Sequence, residues 1–478
     1  MSFTSFEFTL FFGAILVLSR LLSGGARWKW LLLAASLGFY MTWSLPCVLL
    51  IIFTSLMDYT VGKRLGLTAE PARRKRLLLL SLIANLGFLG FFKYANFFLE
   101  SAVSVLNVLG FSIGIPHYDI ILPPAISFFT FASMGYVLDV YYERVAPCSS
   151  ASDYALFVTF FPKLLSGPIV RAADFLPQLK QRARAQAGDI EAGLARFLVG
   201  AIKKLVISDQ IVGHVNMIFS APSQYDRFTL MEGVIGYAIQ LYCDFSGYSD
   251  MAIGSARILG INLPENFQMP FSALSITEFW RRWHITLSKW FRDYVFLPLE
   301  IATRNAFRPN VRVSVNIILM MLLCGLWHGP SWNFVIFGGI HGVALAAHKM
   351  WTVWNPIESL RKKGATKFLW LFCARLLTLG VVILGFVYFR AQSVADAGAY
   401  LKGLLFPGVD ATRVASPYIL MSFAAVFLFH LLLNKERNWV EEIPARSLPV
   451  RMAAYTCGLI LLVFFSATEA APFIYFQF

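Results

Sequence analysis

Residues 312–350 read RVSVNIILMMLLCGLWHGPSWNFVIFGGIHGVALAAHKM. Two apolar runs, 312–327 and 332–350, flank a short stretch that contains Gly329 and Pro330. Each run approaches the roughly 20 residues that a helix needs to cross the hydrocarbon core of a bilayer. Because proline lacks a backbone N–H, a helix is expected to break between the two runs. The stretch therefore predicts two membrane helices joined by a break, with His328 beside it.

The same apolar character extends along the whole chain. Of its 478 residues, 58% are hydrophobic and 14% are charged, which is too apolar for a soluble surface. Further apolar segments lie at 8–22, 30–57, 77–99, 120–140, 153–170, 193–213, 229–260, 367–388, 417–433 and 450–466. We expect an all-α polytopic membrane protein, with residues 1–478 forming a single transmembrane domain.

The basic residues indicate membrane topology. The net charge of +14 is distributed over short loops between apolar segments, which argues against a nucleic-acid-binding face. Arg20, Arg27 and Lys29 follow the first segment and predict a cytoplasmic first loop, with the N-terminus in the periplasm. Other candidate cytoplasmic loops contain Lys63 and Arg64; 73–76; Lys180, Arg182 and Arg184; Arg304, Arg308 and Arg312; and 361–363.

The cysteines and the common catalytic motifs exclude several classes of protein. The six cysteines form no CxxC pair and lie mostly in apolar context, so we expect free, buried thiols. His341 and His348 are seven residues apart, but HxxxH and HExxH patterns are absent, and no metal is implied. The sequence also lacks a GxSxG elbow, a P-loop and a dinucleotide fingerprint.

Polar groups inside apolar segments are the first candidates for function, because ionisable side chains are costly at membrane depth. Gln240, Asp244 and Tyr248 are spaced to share one face of a helix. They would form either an interhelical hydrogen-bonding stripe or a face that contacts substrate. Lys163 also interrupts an apolar run.

Residues 278–294 combine tryptophans with cations in an amphipathic helical pattern. Arg281, Arg282, His284 and Arg292 belong to this segment, which we expect at a membrane interface. The cations would either anchor the segment to lipid phosphate or attract an anionic acyl donor, such as a coenzyme thioester.

His328 is the strongest candidate for a catalytic residue. A neutral imidazole accepts a proton from an attacking hydroxyl near neutral pH, and the break at Gly329 and Pro330 would let the ring face a cavity. A structural histidine is the alternative. Trp327 precedes it, and His341 follows thirteen residues later.

Several long motifs carry a resemblance to a known family. They are Leu122–Phe131, Phe161–Ile169, Asp244–Asp250, Phe279–Ser288, Leu326–Gly329, Phe389–Arg390 and Phe473–Phe478. In content and order they resemble the membrane-bound O-acyltransferases, in the bacterial branch that includes alginate O-acetylation proteins. The resemblance covers nearly the whole chain. Related D-alanyl transfer proteins share two of these motifs, so the motifs alone leave the acyl group open.

This resemblance implies a ring of about 11–13 transmembrane helices around a central tunnel, with re-entrant or interfacial helices. It implies His328 as the catalytic residue, with His341 as a weaker partner. Residues for substrate or donor binding would be Arg281, Arg282, His284, Arg292, Asp244, Tyr248, Trp327, Lys163 and Ser166.

The resemblance also implies a reaction and its partners. Acetyl would pass from a cytosolic thioester, acetyl-CoA, across the bacterial inner membrane to an exported polysaccharide such as alginate or cellulose. A periplasmic SGNH-type acetyltransferase subunit would complete the delivery, and no bound cofactor is implied.

Two other classes of protein remain open. A transporter or flippase would also need interior charges and broken helices, although the sequence shows no inverted repeat. A non-catalytic scaffold for a periplasmic acetyltransferase predicts that His328→Ala leaves acetylation intact.

Overall fold

A computed structural model describes residues 1–22, 25–114, 118–181, 185–306, 308–354, 364–406, 411–432, 439–467 and 471–476. Within these ranges the regular structure is helical, without a strand, which confirms the predicted all-α class. The predicted loop residues Arg182, Arg184 and 361–363, and the last two residues of the Phe473–Phe478 motif, lie outside them.

The chain divides into two compact units. The first contains Met1–Leu198, Tyr248–Pro264 and Val440–Arg446. Its helices are α1 (Phe6–Leu21), α2 (Ala26–Met41), α3 (Leu45–Leu67), α4 (Pro71–Leu89), α5 (Ala95–Val108), α6 (Ile126–Tyr141), α7 (Ala151–Thr159), α8 (Phe161–Leu164) and α9 (Ala172–Gln181). Two helices, α10 (Ala187–Ala201) and α12 (Arg227–Ile258), contribute residues to both units, and α21 (Trp439–Glu442) lies at a boundary between them.

The second unit contains Val199–Gly247, Glu265–Trp439 and Ser447–Phe478. Its helices are α11 (Asp209–Ser220), α13 (Ile276–Arg282), α14 (Ile285–Phe291), α15 (Leu297–Ala302), α16 (Pro309–His328), α17 (Trp332–Trp354), α18 (Gly364–Arg390), α19 (Val394–Leu405), α20 (Pro417–Leu432) and α22 (Leu448–Phe465). The single-domain organisation of the chain stays a prediction.

Six helical stretches in the described part of the chain are long and apolar enough to cross a membrane. They are Leu45–Leu67, Pro71–Val108, Pro309–His328, Trp332–Val353, Lys367–Arg390 and Leu448–Phe465. Two shorter apolar helices, Ile126–Tyr141 and Pro417–Leu432, accompany them. The protein is therefore a multi-pass membrane protein, while the ring of about 11–13 helices stays a prediction.

Prolines also mark helix ends in other parts of the chain. Helix α6 begins after Leu122-Pro123-Pro124, where Ala125 adopts a left-handed φ of 62°. Helix α8 is only four residues long and contains Pro162. The apolar run 30–57 differs from expectation because it forms two helices: Ser44 is the N-cap of α3, and Pro46 lies in its first turn.

The prediction that all six cysteines are buried is wrong for two of them. Cys47, Cys148, Cys243 and Cys324 are buried free thiols, whereas Cys373 and Cys457 are exposed. The two exposed thiols lie on α18 and α22, whose apolar surfaces are largely uncovered by protein. A small apolar thiol is compatible with a lipid-facing surface.

Close packing between α16 and α17 holds the helix break in place. A Cβ atom at Gly325 would lie 2.1 Å from the Phe334 carbonyl oxygen, and one at Gly338 would lie 2.2 Å from the Met321 carbonyl oxygen. Small residues permit this approach of backbones in membrane proteins. The resulting hairpin positions His328 as the last residue of α16.

We predict that Gly338→Ala destabilises this hairpin, by roughly 1–3 kcal/mol, because the added methyl group meets backbone atoms that have little room to move. Thermal unfolding of the protein in detergent measures the effect. Gly339→Ala is the matched control, since its Cβ would meet only Leu322 Cδ2 at an ordinary 3.6 Å. Equal stability of the two variants would contradict the prediction.

Candidate active site

His328 lies at the end of α16, where Gly329 adopts an extended conformation and the helix stops. The side chain is deeply buried, with 2% relative exposure. Its ring contacts Phe389 edge to face at a centroid distance of 5.1 Å and Phe337 at 5.7 Å. The Nδ1 atom lies 3.3 Å from the hydroxyl of Tyr475, within hydrogen-bond distance. The structure thus pairs the predicted histidine with a phenol.

The segment that contains Tyr475 is held by buried ionic groups. Lys204 Nζ lies 2.7 Å from Asp244 Oδ1 and 2.8 Å from Asp209 Oδ1, and it also donates to the Ala471 carbonyl at 2.8 Å. The second Asp244 oxygen accepts the Ile474 N–H at 2.8 Å. These bonds tether residues 471–476 beside His328.

Sequence reasoning singled out Asp244 but missed its partner. Lys204 interrupts the apolar run 193–213, and that interruption was the available signal for a functional or structural charge. Tyr475 belongs to the Phe473–Phe478 motif, but no role for its hydroxyl was predicted. Asp244 contacts protein groups on both of its oxygens, and its predicted role in binding stays a prediction.

His284 occupies the junction of α13 and α14, where it adopts a left-handed φ of 42°. Its Nδ1 lies 3.1 Å from Asn266 Oδ1, which also accepts the Thr286 hydroxyl at 2.9 Å. The ring contacts Trp327 edge to face at 5.9 Å. Burial lowers the pKa of His284 to about 3, so the ring stays neutral at cellular pH. These contacts make His284 a packing partner of the residue that precedes His328.

Three predicted site residues belong to the first unit. Tyr248 is buried, and its ring packs on Phe3 at 4.8 Å. Lys163 is 5% exposed, donates to the Val158 carbonyl at 3.4 Å and lies 5.0 Å from a phenylalanine ring. The Ser166 hydroxyl donates to the Leu165 carbonyl at 2.6 Å. Their predicted roles in binding stay predictions.

A cavity of about 800 Å³ opens in the second unit between α13, α14, α16 and α17. Four exposed cations line it: Arg281 on α13, Lys289 on α14, Lys349 on α17, and Arg292 in the π-helical turn that follows α14. Its apolar part is formed by side chains that include Trp280, Ile317, Met320, Met321, Cys324 and Leu345. A cavity that is cationic at its surface and apolar inside suits an anionic ligand with an uncharged tail.

Two of the predicted arginines are already paired. Arg282 forms an ion pair with Glu278 at 2.9 Å, and it also donates to the Gln268 carbonyl. Arg292 forms one with Asp293 at 2.7 Å, although its side chain remains 60% exposed. Of the three arginines predicted to bind the donor, Arg281 and Arg292 line the cavity and Arg282 does not.

The ring of Phe337 lies between His341 and His328 and contacts both. His341 accepts the indole N–H of Trp280 at Nδ1, at 3.2 Å, and its ring contacts Phe337 at 4.6 Å. In the described part of the chain, no group of three or more histidine, cysteine or acidic side chains is arranged so that it could hold a metal ion.

The second unit thus contains a buried histidine with a phenol beside it and a cation-lined cavity, which together form a candidate site for group transfer in a membrane protein. A family model described as MBOAT, the membrane-bound O-acyltransferase family, matches residues 141–389. The chain is 33% identical to the peptidoglycan O-acetyltransferase of Helicobacter pylori, over 94% of this chain and 91% of that protein. It is 34% identical to the probable alginate O-acetylase AlgI of Pseudomonas putida, over 100% of both chains.

A more distant similarity links the chain to the teichoic acid D-alanyltransferase of Bacillus subtilis, at 29% identity over 57% of this chain and 67% of that protein. The chain belongs to the membrane-bound O-acyltransferase family, and it is an acyltransferase enzyme.

We predict that Asp244→Asn loosens the tethered segment, because the amide removes the charge that holds Lys204 and weakens the bond from Ile474. A hydrogen bond to a charged group contributes about 1.5–3 kcal/mol. Hydrogen–deuterium exchange of residues 471–476 in detergent should accelerate, and unfolding should occur at lower denaturant concentration.

The control is Glu442→Gln, which removes a pair with the exposed Arg446 and should change stability by less than about 1 kcal/mol. Unchanged exchange of the 471–476 peptide in Asp244→Asn would show that the ion pair does not hold this segment.

Proposed function

We propose that this protein transfers acetyl from a cytosolic thioester, acetyl-CoA, through the bacterial inner membrane for the O-acetylation of an exported polysaccharide. The observation that carries the proposal is the cation-lined cavity that ends at Cys324, one helical turn before His328 on α16. One turn corresponds to a rise of about 6 Å along the helix. A donor bound in the cavity would therefore place its thioester close to the histidine.

The chemistry of the cavity supports a coenzyme thioester. Phosphate groups would contact the exposed cations, and the uncharged pantetheine arm would extend along Met320, Met321 and Cys324. The cavity is lined by the middle of α16, from Ile317 to Cys324, and this helix begins at the predicted cytoplasmic loop that contains Arg304, Arg308 and Arg312. His328 lies sixteen residues beyond Arg312, about 24 Å along the helix. The donor would then enter from the cytosol and react deep in the membrane.

We propose that Tyr475 is the first acyl acceptor. Its hydroxyl lies 3.3 Å from His328 Nδ1, so the imidazole can take the phenolic proton as the oxygen attacks the thioester carbonyl carbon. The C–S bond breaks, and the thiolate leaves as a thiol after it receives that proton from the imidazolium. An acetyl-phenol ester is a reactive donor because a phenolate is a good leaving group, and attack by an acceptor hydroxyl regenerates Tyr475.

The acceptor side of the proposal rests on the relatives and on the family resemblance. Relatives are named for peptidoglycan, alginate and teichoic acid, all of them cell-surface or exported polymers. We propose an exported polysaccharide of the alginate class as the final acceptor, with a periplasmic SGNH-type subunit for delivery. The first apolar segment would place the N-terminus in the periplasm.

We predict that His328→Ala and Tyr475→Phe each reduce acetyl transfer by about 10²–10⁴-fold, because one removes the base and the other the acceptor oxygen. Transfer from radiolabelled acetyl-CoA is measured with purified protein in liposomes, and acetyl-tyrosine is sought by mass spectrometry. His214→Ala and Tyr418→Phe are the matched controls, because His214 faces Glu232 at 3.8 Å and Tyr418 is exposed.

Three outcomes would change the interpretation. Normal transfer by His328→Ala would favour a scaffold or a transporter. Loss of transfer in Tyr475→Phe, with no acetyl-tyrosine in wild type, would give Tyr475 the role of orienting His328. Normal transfer by Tyr475→Phe would exclude it as a carrier.

We predict that Arg281→Gln and Lys349→Gln each raise the KM for acetyl-CoA roughly tenfold, with a smaller change in kcat, because each loses a charge-assisted contact to phosphate. Added salt should weaken donor binding in wild type more than in the double variant. Arg446→Gln, an exposed cation of the first unit, should leave the KM unchanged. Equal KM values for all of these proteins would contradict the assignment of the cavity.

A further inference from the structure

A buried tryptophan, Trp280, lines the proposed donor cavity. We propose that Trp280, held in place by His341, restricts the transferred acyl group to a short chain. This inference rests on the proposed function, because it assumes that the cavity binds an acyl thioester. It assigns Trp280 as a residue that determines donor specificity and His341 as the residue that positions it.

Trp280 lies between the cavity and the histidine that would catalyse transfer. Its indole lines the cavity together with Met321 and Cys324, yet it is only 7% exposed. Behind it, Phe337 lies at a centroid distance of 6.4 Å, and Phe337 in turn contacts His328 at 5.7 Å. Neither Phe337 nor His328 lines the cavity. The two aromatic rings therefore form one wall of the route from the cavity to the base.

His341 fixes the orientation of this wall. The indole N–H of Trp280 donates to His341 Nδ1 at 3.2 Å, and the two rings meet edge to face at 5.2 Å with an interplanar angle of 87°. The opposite nitrogen, Nε2, faces the backbone at Gly385, where a Cβ atom would lie 2.6 Å away. The imidazole is thus confined between α13 and α18, and the indole has one preferred position.

His341 itself is screened from the donor. It is fully buried and does not line the cavity, so its contact with the donor site runs through Trp280. Nδ1 is occupied by the indole, and Nε2 has no hydrogen-bond partner in the described part of the chain. A positioning role accounts for these contacts, whereas a catalytic role would require the ring to reach the reacting atoms.

The wall limits chain length for a geometric reason. A thioester carbonyl has to advance about 6 Å past Cys324 to reach the level of His328. Acetyl places one methyl group beyond its carbonyl carbon, whereas a longer acyl chain needs further apolar volume in the same direction. The indole and the Phe337 ring, whose centroids lie 6.4 Å apart, border that route and narrow it. A smaller side chain at position 280 would open it.

The test uses two sets of ligands with chains of two, four and eight carbons. Thioether analogues of acyl-CoA bind but cannot transfer their chain, whereas the corresponding acyl-CoA thioesters can. In Trp280→Leu, the affinity for the eight-carbon thioether relative to the two-carbon one should rise at least tenfold, because buried methylenes favour binding. The kcat/KM ratio for the thioesters should shift in the same direction. Trp280→Phe should give a smaller shift, and Trp283→Leu, at a buried tryptophan that does not line the cavity, should give none.

Two His341 variants test the positioning residue. Asn places an amide oxygen where Nδ1 accepts the indole N–H, so His341→Asn should keep the chain-length profile of wild type. His341→Leu removes the acceptor and should shift the profile toward that of Trp280→Leu. Indole fluorescence would report the released tryptophan. Loss of transfer at every chain length in a folded His341→Asn protein would instead make His341 catalytic and overturn its positioning role.

The outcomes separate this inference from the proposed function. Wild type that binds no thioether would overturn both. Wild type that binds thioethers, with the same chain-length profile in Trp280→Leu, Trp280→Phe and wild type, would overturn the specificity role alone and leave the donor cavity intact.

Discussion

The candidate site depends on one buried cluster of charges, the ammonium of Lys204 between the carboxylates of Asp244 and Asp209. Ions removed from water are stable only when each is paired and hydrogen-bonded. The backbone of residues 471–476 supplies two further hydrogen bonds to this cluster. The Ala471 carbonyl accepts one from Lys204, and the Ile474 N–H donates one to Asp244. Because that segment carries Tyr475, the electrostatic requirement of the cluster brings a phenol to His328. The ion cluster thus helps to bring together the two residues that we propose react.

The second constraint is the exclusion of water from the site. His328 is enclosed by Trp327, Phe337, Phe389 and Tyr475, and Trp280 lines the nearby cavity. In such an environment, fixed hydrogen bonds and dipoles act more strongly than they do in water. An activated acyl group would also be protected from hydrolysis there. The aromatic side chains that would select the acyl chain would therefore also exclude water from the reaction.

The helix break at Gly329 links the fold to the chemistry. Tight packing at Gly325 and Gly338 draws α16 and α17 together, so the end of α16 cannot turn toward lipid without separating the two backbones. This geometry determines the position of His328. As the last residue of α16, it lies beyond the regular hydrogen-bonded turns of the helix. If the donor enters at the N-terminal end of α16, as proposed, the length of this helix sets how far it has to reach.

Local features of the sequence were sufficient for much of this description. Apolar runs determine helices in a bilayer, because every backbone group there must be satisfied within its own segment, and proline determines where a helix stops. Such features singled out His328 and Asp244. Only the tertiary structure joined Tyr475 to His328, which are 147 residues apart, and Trp280 to His341, which are 61 apart. Helices in a membrane pack through specific contacts of small and polar groups rather than by burying an apolar stripe, so the pattern along one helix does not reveal its neighbour.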